Sequence, residues 1–185
     1  MKQKSYEMEI VNFLLKERGH VRAIAKQIGT NPMTVQRKLK ILIDENAVDY
    51  KIEGRNKVYF LKRSEEARIF GFLGETYKLL ECLDKYPRIR AAVKAIRSDR
   101  RIKLALLFGS YAKGLASDKS DIDIYIEGKD QKIKDELIAL DSKLSIKTGK
   151  YDRKSPLIRE IERNHVIIKG VEEYYERSGF FEEGV

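Results

Sequence analysis

Tryptophan is absent from the 185 residues, cysteine occurs once, at Cys82, histidine twice and proline three times. A single cysteine excludes an internal disulfide and fits a reducing compartment. Cys82 itself reads as a core residue of a linker helix. His20 and His165 are too far apart in the chain, and too isolated from other ligand types, to argue for zinc. No apolar run approaches the roughly 20 residues that a membrane-spanning helix needs, and no secretory leader, low-complexity tract or internal repeat is visible. These absences predict a soluble, cytoplasmic protein with no membrane partner. What is abundant is charge, at 36% of the residues and a formal net +9. Its distribution is uneven. Residues 1–63 hold 14 Lys and Arg against 7 Asp and Glu, whereas residues 64–185 hold 24 against 22. The positive excess thus sits at one end, as phosphate-backbone binding requires.

The same 63 residues carry a helical pattern. Tyr6 to Lys16 places Ile10, Phe13 and Leu14 at helical spacing and stops at Gly19, and Val21 to Ile28 reads as a short second helix. Gly29-Thr-Asn31-Pro32 supplies a turn in which Asn31 is a natural N-cap and Pro32 takes the first helical position. In the third helix, Met33 to Asn46, Val35, Leu39 and Leu42 form a core stripe that leaves Thr34, Gln36, Arg37 and Lys40 exposed. These residue types reach base edges or phosphates. Val48 to Ile52 and Lys57 to Leu61 then alternate like strands around Glu53-Gly-Arg55-Asn, a hairpin with a basic tip. Three helices and a hairpin in this order resemble the winged helix-turn-helix halves of prokaryotic transcription regulators. The resemblance implies double-stranded DNA as a partner, read by Thr34, Gln36, Arg37, Lys40 and Arg55.

A second motif is more specific. Residues 102–108 form an apolar run suited to a buried strand, and Gly109-Ser110 turns the chain toward a short helix expected to begin near Tyr111. Gly109 has no Cβ, so a phosphate can approach its backbone, while the Ser110 hydroxyl and Lys113 ammonium can bind phosphate oxygens. Ten residues separate Ser110 from Asp121, and Ile122, Ile124 and Ile126 alternate with Asp121, Asp123 and Tyr125. Both carboxylates therefore point to one face of a strand, about 7 Å apart. Hard oxygen ligands at that spacing suit Mg²⁺ or Mn²⁺ held jointly with substrate phosphates. Each half alone is commonplace: apolar strands often end in Gly-Ser, and half-buried strands often carry charge on the wet face. In order and on neighbouring strands they are not.

The pattern Phe-Gly109-Ser110-Tyr-Ala-Lys113-Gly, five residues, then Ser-Asp121-Ile-Asp123 resembles the DNA polymerase beta superfamily of nucleotidyltransferases, most closely its minimal branch, over roughly residues 88–170. The resemblance implies a small mixed sheet with flanking helices, a nucleoside triphosphate donor and a two-metal reaction. It also implies a third carboxylate on the strand after the next helix. That helix is expected at 130–141 and that strand at 143–148, which contains no acid. Ser145 or Lys147 falls at the expected place, and Asp141 and Asp152 flank it. Asp152 is the substitute the sequence favours, which makes Asp121, Asp123 and Asp152 the candidate catalytic set. Two-metal transfer needs both ions, so whether this chain is an enzyme stays open at this point.

Between the two regions a helix is expected from Ser64 to about Asp84, followed by another from Pro87 to about Ser98. Its apolar stripe is broad enough to meet either its own domain or a second copy of the chain, and a dimer would read two half-sites. The domains predicted are therefore a winged helix-turn-helix at 1–63, a linker helix at 64–86 and a minimal nucleotidyltransferase at 87–185, an α+β chain overall. A helix at 157–163 and a strand at 166–168 follow, and the tail after Gly170 is left amphipathic or loosely ordered. The reading is a DNA-binding regulator that takes up Mg–NTP, with transfer of nucleoside monophosphate left open. Two others compete: an active transferase acting on a protein, nucleic-acid or small-molecule hydroxyl, and an antitoxin-like partner of a small helical toxin.

Overall fold

The computed structural model describes residues 4–182, so the outermost residues of the first and last expected domains lie outside it. The chain divides into two compact units, up to Tyr77 and from Lys78 onward.

The first unit is a winged helix-turn-helix built from α1 (Tyr6–Leu14), β1 (Gly19–His20), α2 (Val21–Ile28), α3 (Pro32–Asp44), β2 (Val48–Glu53) and β3 (Asn56–Leu61). Both caps around the turn are chemical. His20 Nδ1 accepts the Ala23 N–H at 2.9 Å to start α2, and Asn31 Oδ1 accepts the Thr34 N–H at 2.8 Å to start α3. Ile10, Val11, Ile24, Val35, Leu39 and Leu42 are fully buried where the three helices meet, each contributing about 1.5–3 kcal/mol. Asn46 takes the left-handed conformation, with φ 58°, that releases the chain from α3 toward the hairpin. The hairpin turns on two residues, Gly54 and Arg55, with Gly54 at φ 61°, the conformation that a two-residue hairpin demands at its first position. A pair of residues that the sequence pattern does not mark, β1, adds a third antiparallel strand against β3.

Helix α4 (Glu65–Lys85) realises the expected linker helix, and its last two turns belong to the second unit. That unit continues with a 3₁₀ turn (Pro87–Ile89) and α5 (Arg90–Ser98), then β4 (Ala105–Leu107), α6 (Gly109–Ala112), β5 (Ile122–Glu127), α7 (Gln131–Ile138), β6 (Leu144–Gly149), α8 (Pro156–Arg163), β7 (Val166–Lys169) and α9 (Val171–Ser178). The sheet order is β6-β5-β4-β7, with β5 and β6 parallel and the other pairs antiparallel. Ala105, Leu107, Ile122, Ile124, Ile126, Ile146, Val166 and Ile168 face a single core with α5, α7 and the end of α4. The intervening residues face the other way. There Tyr151, Tyr174, Tyr175 and His165 stack edge to face or tilted, which anchors α9 just after Gly170. The apolar run 102–108 yields only three strand residues, and within them a register shift against β7 falls at Ala105/Leu106. No helix among the described residues is long and apolar enough to cross a membrane.

Candidate functional site

The centre of the site is the step from β4 into α6. Phe108 is extended, and its N–H donates to the Asp123 carbonyl at 2.9 Å, continuing the β4–β5 ladder by one residue. At Gly109 the backbone swings to φ 68° and helix begins at once, two residues earlier than the sequence pattern suggests. A side chain there would collide: a Cβ built on Gly109 falls 2.5 Å from Asp123 Oδ2. The Asp123 carboxylate therefore rests directly over the backbone that the motif leaves bare. Tyr111 anchors α6 from beneath, 5% exposed and edge-on to Tyr86 at 4.9 Å. The loop onward is held by Leu115 N–H to Ser110 O at 2.9 Å and Ser117 N–H to Ser120 Oγ at 3.0 Å.

Asp121 is exposed just before β5 and Asp123 is half-buried within it. Because Ile122 and Ile124 point into the core cluster, strand alternation sends both carboxylates to the opposite face. Gly109, Ser110, Asp121 and Asp123 thus converge at one end of the sheet. Tyr125 follows them on that face. Its hydroxyl donates to Gly149 O at 2.9 Å, and burial, with Glu127 adding to it, pushes it up to about 12.

The register left open by the sequence is fixed by the sheet: Asp123 pairs with Ser145 and Tyr125 with Lys147. A serine therefore occupies the strand position beside the carboxylate pair. The two flanking acids have other partners. Asp141 receives both Nε and Nη2 of Arg88, at 2.8 and 2.7 Å, and the Lys143 N–H at 2.9 Å. The Arg88 guanidinium holds the Asp141 carboxyl down at about 2. Asp152 lies beyond Gly149, which pairs with Glu127, about 13 Å of strand away from the Asp123–Ser145 level. Its Oδ1 accepts the Lys154 N–H at 2.9 Å. Asp152 thus sits in a local turn after β6, where its carbonyl also accepts the Ser155 N–H at 2.9 Å. Lys113 caps α6 at its exposed end and pairs with Glu160 at 3.8 Å. No sequence signal links residue 113 to residue 160; only the packing of α8 does.

Among the described residues no group of three or more His, Cys, Asp or Glu gathers as a metal centre. The donors at this end of the sheet are two carboxylates and the Ser110 and Ser145 hydroxyls, all hard oxygen ligands. Their chemistry fits one Mg²⁺ or Mn²⁺ completed by phosphate oxygens.

In the first unit Gln36, Arg37 and Lys40 are exposed on α3, Thr34 is half-buried at its start, and Arg55 is exposed at the hairpin tip. Val35, Leu39 and Leu42 fill the opposite side of the helix. Lys38, between them, is spent on Glu7 at 2.6 Å. The wing adds Lys57, whose ammonium stacks over Tyr50 at 3.9 Å, a cation that the sequence reading did not single out.

A protein-family model described as polymerase beta, nucleotidyltransferase matches residues 78–173. No curated protein matches the chain. Among solved structures, one similar chain is the solution NMR structure of a homodimeric winged helix-turn-helix DNA-binding domain from Mycobacterium bovis, described as "a possible ArsR-family transcriptional regulator". It is 26% identical, with a TM-score of 0.34 over 37% of this chain and 63% of that one. Another is a crystal structure of a "possible transcriptional regulatory protein" fragment from the same organism, 26% identical, with a TM-score of 0.35 over 38% of this chain and 75% of that one. The chain thus spans less than two thirds of the first of these domains.

Proposed function

The chain belongs to the polymerase beta nucleotidyltransferase family, and on that footing we propose that it is a DNA-binding regulator whose second unit takes up a divalent metal–nucleoside triphosphate complex and transfers nucleotide slowly at most. The observation that carries this reading is the pairing of Asp123 with Ser145, where a two-metal enzyme needs an acid. Asp121 and Asp123 hold the ion. Gly109 lets the phosphates approach the backbone, Ser110 donates its hydroxyl, and Lys113 adds positive charge beside them. Bound there, the ion would neutralise phosphate charge and align the triphosphate. With serine at 145 no second carboxylate ligand and no general base faces an acceptor hydroxyl, so uptake is favoured over turnover.

DNA is bound by the first unit through Gln36, Arg37, Lys40 and Arg55, with Thr34 at the start of the same helix. The net charge of residues 1–63 supplies the sequence-independent part of the affinity. A homodimer would present two such helices to two half-sites.

The test is calorimetry of the full chain with each NTP, with and without Mg²⁺ or Mn²⁺. Binding is expected only with the ion, and Asp121→Ala should abolish it. Equal binding by wild type and variant, or none with any nucleotide, would sink the proposal.

A further inference from the structure

Lys147 lies on β6 two residues past Ser145, and Leu144 and Ile146 of the same strand turn into the core cluster. Strand alternation therefore puts Ser145 and Lys147 on the face that carries Asp123, about 7 Å apart along the strand. The parallel register sets Lys147 across from Tyr125, one step along from the Asp123–Ser145 pair. Among the described residues β6 is an outer strand of the sheet, so its far side is open.

The Lys147 ammonium is uncommitted. The side chain is exposed, and among the described residues it makes no hydrogen bond, ion pair or ring contact. Polar groups of the same unit that could have engaged it are taken: the Tyr125 hydroxyl donates to Gly149 O at 2.9 Å, Glu127 receives Arg177 Nε at 3.1 Å, and Glu162 accepts the Tyr151 hydroxyl at 2.9 Å. The Asp121 and Asp123 carboxylates likewise have no hydrogen-bonded or ion-paired partner among the described residues. One face thus presents two uncommitted carboxylates at the start of β5 and one uncommitted cation on β6. An exposed edge lysine also discourages pairing with another strand, but that role needs no particular neighbour, whereas Lys147 stands beside the position where a second ion loses its ligand.

We propose that Lys147 supplies the charge that the second ion supplies in a two-metal site: its ammonium meets the phosphates of the bound nucleotide from β6, while Asp121 and Asp123 hold a single ion from β5. This deepens the nucleotide reading above and rests on it. Ions in a two-metal site stand roughly 3.5–4 Å apart, and carboxylates around them offset their repulsion. Serine at 145 brings no such charge, and a neighbouring lysine adds to the repulsion. Lysine binds phosphate as a point charge on a flexible four-carbon stem, long enough to cover the step back to the Ser145 level. It does not activate an acceptor hydroxyl as a metal ion does, which fits uptake without turnover.

The experiment titrates the full chain with each of the four NTPs in Mn²⁺, reading affinity by calorimetry and counting bound Mn²⁺ by electron paramagnetic resonance. One ion per bound nucleotide is expected in wild type. Lys147→Met should weaken nucleotide binding about tenfold or more, the worth of a hydrogen bond to a charged group, while Lys147→Arg should keep most of it. Lys150→Met removes the same charge from an exposed position just past β6 and should leave binding unchanged. In Lys147→Met a second ion should enter as Mn²⁺ is raised, lifting the count to two and recovering part of the affinity. Two ions in wild type, a count that stays at one in Lys147→Met, or equal losses in the Lys147 and Lys150 variants overturn the proposal. NTP binding that Lys147→Met leaves intact overturns it alone and reduces Lys147 to a solvated edge residue, whereas no NTP binding by wild type overturns the nucleotide reading with it. Circular dichroism of each variant separates these losses from unfolding.

Discussion

Asp123 and Ser145 stand side by side across the parallel β5–β6 pair. Neighbouring strands lie about 4.8 Å apart, so a carboxylate at 145 would reach an ion held by Asp123. Ser145→Asp is therefore expected to raise NTP-derived labelling with Mg²⁺, up to the ~10²–10³ that one preorganised electrostatic group is worth. Asp152→Asn should leave the wild-type level unchanged. Incubation with labelled NTPs and cell lysate measures both, and a fall in labelling in Asp152→Asn would return that residue to the site.

Gly109→Ala forces an alanine into the left-handed region and pushes a methyl against Asp123 Oδ2. The backbone cost is about 1–2 kcal/mol, small enough for the chain to remain folded. The displaced carboxylate is the larger effect. Metal-dependent nucleotide binding should drop by at least the ~10-fold that loss of a charged ligand commonly brings, whereas thermal unfolding should shift only modestly. Calorimetry beside circular dichroism separates the two, and undiminished binding would mean that the metal does not depend on Asp123.

The Arg88–Asp141 pair predicts an acid limb in stability. Its carboxyl sits at about 2 in the folded chain against ~3.9 when unfolded. A lowered folded value means that the contribution is full above pH ~4 and disappears as pH falls toward 2. Melting temperatures measured from pH 6 to pH 2 should show this loss in wild type, and Arg88→Met should flatten that part of the curve. Parallel curves would show that the pair adds nothing beyond its screened surface value.

Arg37→Ala and Lys40→Ala should weaken binding to duplex DNA in different ways. A lost phosphate contact lowers affinity for all sequences and reduces the salt slope by about one, while a lost base contact costs about 1–3 kcal/mol and relaxes preference at one position. Gel shifts over a salt series against genomic fragments distinguish the cases. Unaltered affinity and slope in both variants would remove α3 from the interface.

Much of this is legible in the sequence. Asn31, Pro32 and Asn46 mark helix ends by local chemistry, and the Ile122-Asp123-Ile124 alternation fixes which face each side chain takes. Local rules also placed the hairpin around Gly54. What escaped depends on distant segments. β1 is two residues recruited only by pairing with β3, and Glu160 meets Lys113 only once α8 has docked. The tail after Gly170 looks weakly patterned because its buried face is tyrosines, Tyr174 and Tyr175, packed on other aromatic rings. Which of Ser145 and Lys147 stands beside Asp123 escaped for the same reason, since parallel register decides it and register is a property of two strands.

The strand order also sets how much chain each pairing must close. β4 and β5 are close in the chain and pair antiparallel, so Gly109 and Asp123 meet through a short loop at low entropic cost. β6 reaches β5 only across the α7 crossover, and β7 lies on β4 at a far larger separation in the chain. The bare glycine and its carboxylate thus belong to the most local pairing of the sheet, the one that asks least of chain closure.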